Sequence, residues 1–167
     1  MNAIEVFSSA AGLSVVDEDG HTERIQLMPP VTESELATIE RELGFALPTE
    51  ARALLRMTSG LAGTALDQFQ FVDVGGQALP DLFPHPLSIA HDGYGNFWIV
   101  DLWPSSDRFG PVFYVAHDPP VVVYQCEDVA SFAQHVLEFS SPHFSPRPSR
   151  GCASAFGARR CIGIDRS

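Results

Sequence analysis

The sequence predicts an α+β domain in which a mostly antiparallel sheet packs against short helices, and three observations predict it. Two closely spaced helix signals open the readable part of the chain, five strand-like runs follow, and one amphipathic helix closes it.

The first helix signal is the sharpest. Thr32 followed by Glu35 has the form of a capping box, in which each side chain satisfies a backbone N–H of the first turn, and Val31 and Leu36 stand at hydrophobic-staple positions. Leu36, Ile39 and Leu43 recur at helical spacing, and Gly44 offers the left-handed residue that ends a helix, so the spacing predicts a helix over 33–43. Leu47-Pro48 starts a second helix, with Pro48 at a first-turn position where no N–H is needed; Ala51, Leu54 and Leu55 face inward and Ser59-Gly60 stops it.

Strand-like runs cover 69–74, 87–91, 97–102, 112–116 and 121–124, each bounded by Gly, Pro or Asp. Asp92-Gly93-Tyr94-Gly95-Asn96 supplies turn residues between two of them, and an antiparallel meander is the simplest topology. Asp128 caps a last helix in which Val129, Phe132, Val136 and Phe139 share the face that packs on the sheet.

The ends are less patterned. Residues 1–30 read as an N-terminal extension of the same domain, with apolar Ile4, Val6 and Phe7, an acidic turn at 17–20, and Ile25 and Leu27 alternating as in a strand. The folded unit proper is expected over 31–139. Residues 140–167, rich in Ser, Pro and Arg, are expected to form a disordered tail in which Pro142, Pro146 and Pro148 block regular hydrogen bonding.

A chain of 167 residues fits one domain, and no stretch approaches the ~18 consecutive apolar residues of a membrane span. With no basic region before a hydrophobic one at the N-terminus, the chain is expected to stay in the cytoplasm. Cys126, Cys152 and Cys161 are an odd number without CxxC spacing and are expected to be buried or incidental thiols. The net charge is −11, and residues 1–139 carry five arginines against 20 acidic side chains. Such a field repels nucleic acid and steers cationic partners toward the surface.

Two His-Asp pairs, His91-Asp92 and His117-Asp118, together with Asp101, invite a metal reading, because imidazole and carboxylate ligate divalent ions. In a meander both histidines lie roughly opposite Phe97, whose ring separates them, so they are expected to be turn or strand-end residues. Phosphate-binding loops, a GxSxG elbow and HExxH are all absent, and Cys126 has no His partner placed by sequence. The expectation is a non-enzyme without metal or other cofactor. Tyr94, Trp98, Trp103 and Phe109 gather around the hairpin, with Trp98 assigned to the core; aromatics beside charges are typical interface anchors. Asp92, Tyr94, Asp101, Trp103 and Asp107 are the candidate partner-binding residues.

The order of these signals resembles the SUKH superfamily, which includes bacterial immunity proteins and a fungal regulator of cell-wall synthesis. The likeness runs from about Pro30 to Phe139. It is carried by Val31-Thr32-Glu33-Ser34-Glu35-Leu36, Ile39-Glu40-Arg41-Glu42-Leu43-Gly44, Leu47-Pro48-Thr49-Glu50, Leu54-Leu55 and Ser59-Gly60. It continues through 89–102 as the central hairpin, 110–118 as the next strand and Ser131-Phe132 in the closing helix. The resemblance implies a sheet flanked by helices and a role in neutralising a cognate secreted toxin, often a nuclease or deaminase, by direct binding that occludes its active site. It implies no shared catalytic residues. The acidic balance fits independently, because enzymes that hold nucleic acid usually present a basic cleft. The partner expected is therefore a basic protein toxin, with no nucleic acid and no membrane, and the chain a monomer or weak homo-oligomer. Two alternatives stand beside this: a regulatory or scaffold module of the same fold, and a metal-dependent hydrolase using His91, Asp92, Asp101, His117 and Asp118.

Overall fold

The computed structural model describes residues 1–16, 21–71 and 81–140. Asn2 opens the first helix, α1 (Ala3–Ala10), with a capping box. Its Oδ1 accepts the Glu5 N–H at 2.9 Å, and the Glu5 carboxylate accepts the Asn2 N–H at 3.0 Å. Ala3, Val6, Phe7 and Ala10 then fall on one buried face. The strands β1 (Ser14–Val16) and β2 (Thr22–Arg24) pair as a hairpin, and the acidic turn expected at 17–20 lies outside the described residues. Strand β3 (Gln26–Leu27) follows a fully buried Ile25.

The next helix, α2 (Glu33–Leu43), forms where the capping box predicts it. Thr32 Oγ1 accepts the Glu35 N–H, and the Glu35 carboxylate accepts the Thr32 N–H at 2.8 Å. Gly44 ends it at φ 79° and donates its N–H to the Glu40 carbonyl. The second expected helix, α3 (Thr49–Met57), begins one residue later than predicted, with Pro48 in the cap position. Ser59-Gly60, predicted only to stop that helix, also starts a strand: β4 (Gly60–Ala62) lies between β3 and β5 (Phe69–Gln70) in an antiparallel sheet. Any Cβ at Gly60 would sit 2.1 Å from the Phe69 carbonyl oxygen, so this close strand approach requires glycine. The run expected over 69–74 pairs only at Phe69–Gln70, and 72–74 lie outside the described residues.

The predicted meander is present. Strands β6 (Pro86–His91), β7 (Phe97–Asp101), β8 (Val112–His117) and β9 (Pro120–Cys126) are antiparallel neighbours in that order. Period-two alternation gives this sheet two apolar faces. Trp98, Val100 and Val112 join the main core, while Phe97, Ile99 and Val115 form a second cluster with Phe83. Helix α4 (Val129–Ser140) starts where Asp128 Oδ1 accepts the Ser131 N–H at 2.7 Å, and it lays Phe132 against Trp98. Phe132 also meets Phe69 edge to face at 5.4 Å, and Phe69 meets Phe7 the same way, so α1, the small sheet and α4 share one aromatic core.

Two details depart from expectation. Ser140, read as the first tail residue, is the buried last residue of α4, and its hydroxyl accepts the Ala65 N–H at 2.9 Å. Cys126, expected to be a buried or incidental thiol, is buried and is disulfide-bonded. The remainder of the expected tail, 141–167, lies outside the described residues.

Candidate functional site

The β6–β7 turn holds the most exposed aromatic side chain described. Gly93 and Gly95 adopt left-handed φ values of 77° and 87°, which glycine reaches without a Cβ clash. Asp92 is 7% exposed and organises the turn: its Oδ1 accepts the Tyr94 and Asn96 N–H groups at 2.9 and 3.2 Å, and its Oδ2 accepts from Asn96 Nδ2 at 2.8 Å. Asn96 Oδ1 in turn accepts the His117 N–H and lies 3.2 Å from His117 Nδ1, tying the turn to the end of β8. The result is a braced tip from which Tyr94 projects, 73% exposed. Asp67 borders it, since a Cβ on Gly93 would stand 3.1 Å from the Asp67 carboxyl carbon. The His117 ring borders Gly95, with exposed Asp118 one residue further along.

The other candidates lie at the opposite end of β7, a strand roughly 15 Å long. Asp101 is buried and accepts the His85 N–H at 2.9 Å. Trp103 is 56% exposed, and Asp107 is exposed with its carbonyl accepting the Glu50 N–H at the start of α3. The expected aromatic cluster is therefore divided. Trp98 and Phe109 are core residues, and Tyr94 and Trp103 mark two separate surfaces. Sequence reasoning missed this because alternating exposure in a strand says nothing about how far apart its two ends are.

The metal reading loses its constellation. His91 pairs across the ladder with Phe97, as predicted, but Phe97 pairs onward with Val115 and not with His117, which sits two residues beyond. His91 Nε2 is hydrogen-bonded to Ser88 Oγ at 3.2 Å, His117 to Asn96, and Asp101 lies at the far end of the strand. Among the described residues no group of three His, Cys, Asp or Glu side chains is placed to hold a metal ion.

Body arginines are partly neutralised. Arg52 reaches Glu40 at 2.5 Å and Glu33 at 3.1 Å, and Arg56 reaches Glu33 at 2.6 Å, joining α2 to α3. The Arg56 hydrogen bond and the neighbouring positive charges hold Glu33 below the usual carboxylate range. Burial pushes Glu40 up, yet hydrogen bonds from Arg52 and the Leu47 N–H, with the Arg52 charge, bring it below as well. With two of five body arginines so engaged, the remaining acidic side chains dominate the field outside. A groove of about 640 Å³ runs beside α2, lined by Met28, Pro30, Val31, Ile39, Glu42 and Phe71. No described helix is long and apolar enough to cross a membrane.

A helix-flanked antiparallel meander with exposed aromatics at its strand ends defines an α+β domain. Its family follows from sequence: the signature of the SMI1 / KNR4 family (SUKH-1) matches residues 30–135, and the chain belongs to that family. The matched stretch begins just after β3 and ends within α4, and α1 packs against α3 and α4 from outside it. No curated protein and no solved structure matches the chain.

Proposed function

We propose that this protein is a non-enzymatic immunity protein of the SUKH type that binds a basic, secreted toxin acting on nucleic acid and occludes its active site. The observation that carries the reading is the family match over residues 30–135, since immunity proteins are prominent in that family. The surplus of acidic side chains supports it, because a protein that grips nucleic acid presents a cationic cleft to which a negative surface is complementary. The working compartment is the cytoplasm, where such a toxin must be silenced in the cell that makes it. Of the five candidate contact residues, Tyr94, Trp103 and Asp107 offer exposed surface; Asp92 fixes the backbone that presents Tyr94, and Asp101 is buried and accepts the His85 N–H.

The test is co-expression with the protein encoded by the neighbouring reading frame. The proposal expects rescue of growth and a complex that survives size-exclusion chromatography. Loss of viability with no complex overturns it.

A further inference from the structure

The two ends of β7 each carry an exposed aromatic, and their surroundings distinguish them. Around Trp103 the backbone is held by contacts to α3, and Arg108 stands beside Asp107 in sequence. The Tyr94 end differs in two respects. Its ring stands on a turn braced by a buried carboxylate, two left-handed glycines and the Asn96–His117 hydrogen bonds. Acidic residues accompany it, with Asp67 against Gly93 and exposed Asp118 next in sequence to His117, whose ring borders Gly95.

An exposed aromatic carried on a braced backbone needs no ordering of its loop on binding, which is a property of interface anchors. An exposed phenol ring with a carboxylate on the neighbouring backbone has a definite complement: a guanidinium lying over the ring face while its N–H groups reach carboxylate oxygen. We infer that the β6–β7 tip is the surface on which the partner protein docks, and that it receives an arginine side chain between Tyr94, Asp67 and Asp118. The inference rests on the reading as a protein-binding domain and adds the place and the chemistry of contact. Lysine fits less well, because a compact ammonium cannot cover the ring and reach carboxylate oxygen at once.

The probe is acetyl-triarginine amide, titrated into the ¹⁵N-labelled full chain beside its neutral isostere, acetyl-tricitrulline amide. The expected result is chemical-shift change concentrated at Gly93, Tyr94, Gly95 and His117 for the arginine peptide and absent for the citrulline peptide. Tyr94→Ala, whose side chain is mostly in water, is expected to keep the dispersed spectrum and to weaken the peptide at least about fivefold. The pair Asp67→Asn with Asp118→Asn is a second, independent variant expected to weaken it similarly. Shifts centred on Trp103 and Asp107, shifts spread evenly over the surface, or equal response to citrulline overturn the inference. Against the neighbouring-frame toxin, Tyr94→Ala is expected to cost at least about tenfold in affinity and Trp103→Ala less than about threefold. Toxin binding indifferent to Tyr94→Ala overturns the tip alone. Arginine docking at the tip with no toxin binding overturns the immunity assignment and leaves the tip standing.

Discussion

Replacing Asp92 with alanine tests whether the turn is braced as described. The carboxylate is 7% exposed and accepts three hydrogen bonds, from the Tyr94 N–H, the Asn96 N–H and Asn96 Nδ2, at 2.8 to 3.2 Å. Hydrogen bonds to a charged acceptor contribute roughly 1.5 to 3 kcal/mol each when buried. Here Gly93, Tyr94 and Gly95 are open to solvent, so water can rescue part of each donor and about 1 kcal/mol per bond is the appropriate figure. Asp92→Ala is therefore expected to destabilise the fold by about 3 kcal/mol, equivalent to a fall of about 6 to 12 °C in Tm. Asp92→Asn keeps an acceptor for both backbone N–H groups and sets its amide nitrogen against that of Asn96, so about 1 kcal/mol is expected. Urea unfolding followed by tryptophan fluorescence, with the slope m checked for constancy, measures both. A loss below about 0.5 kcal/mol for the alanine variant would refute the claim that this carboxylate holds the tip.

Phe7→Ala removes the ring that joins α1 to Phe69 and Phe71 and is expected to cost about 3 to 5 kcal/mol, read by the same urea assay. Gly60→Ala places a methyl 2.1 Å from the Phe69 carbonyl oxygen, a distance backbone must move to relieve, and is expected to leave little folded protein by circular dichroism. Glu33 and Glu40 have folded-state pKa values below the ordinary 4.5, so their contribution is present above that pH and is lost as pH falls through the lower folded values. Accordingly, the drop in urea midpoint between pH 7 and pH 3 should be smaller in Glu40→Gln than in the unaltered protein. Trp103→Ala, being largely solvated, should change stability by less than about 0.5 kcal/mol in the same titration.

Local signals were legible wherever a short motif carries its own physics. The Thr32–Glu35 box, Gly44 and Asp128 all act within a few residues, and each does in the structure what its type and spacing predict. Helix α1 uses the same box, but Asn2 and Glu5 stand at the extreme end of the chain before only eight helical residues, and the short pattern there carries little periodic signal. Strand β4 escaped because three residues after a helix stop look like a loop; its identity depends on Gly60 meeting Phe69 across the sheet, a tertiary fact. At the site, the residue types were legible and their grouping was not. Tyr94 and Trp103 flank one strand in sequence, and only its extended geometry sets them on separate surfaces. That Asp92 and Asp101 are buried hydrogen-bond acceptors follows from which backbone N–H groups the turn and strand end leave over, and side-chain type alone does not announce it.

The central claim is that a negatively charged surface of this domain captures a cationic protein, and the most direct measurement is the salt dependence of its binding kinetics with the neighbouring-frame protein, followed by surface plasmon resonance. The account predicts an association rate that falls at least about tenfold between roughly 0.05 and 0.5 M NaCl, with a dissociation rate that changes far less. An association rate indifferent to salt, or no association at any salt concentration, contradicts it.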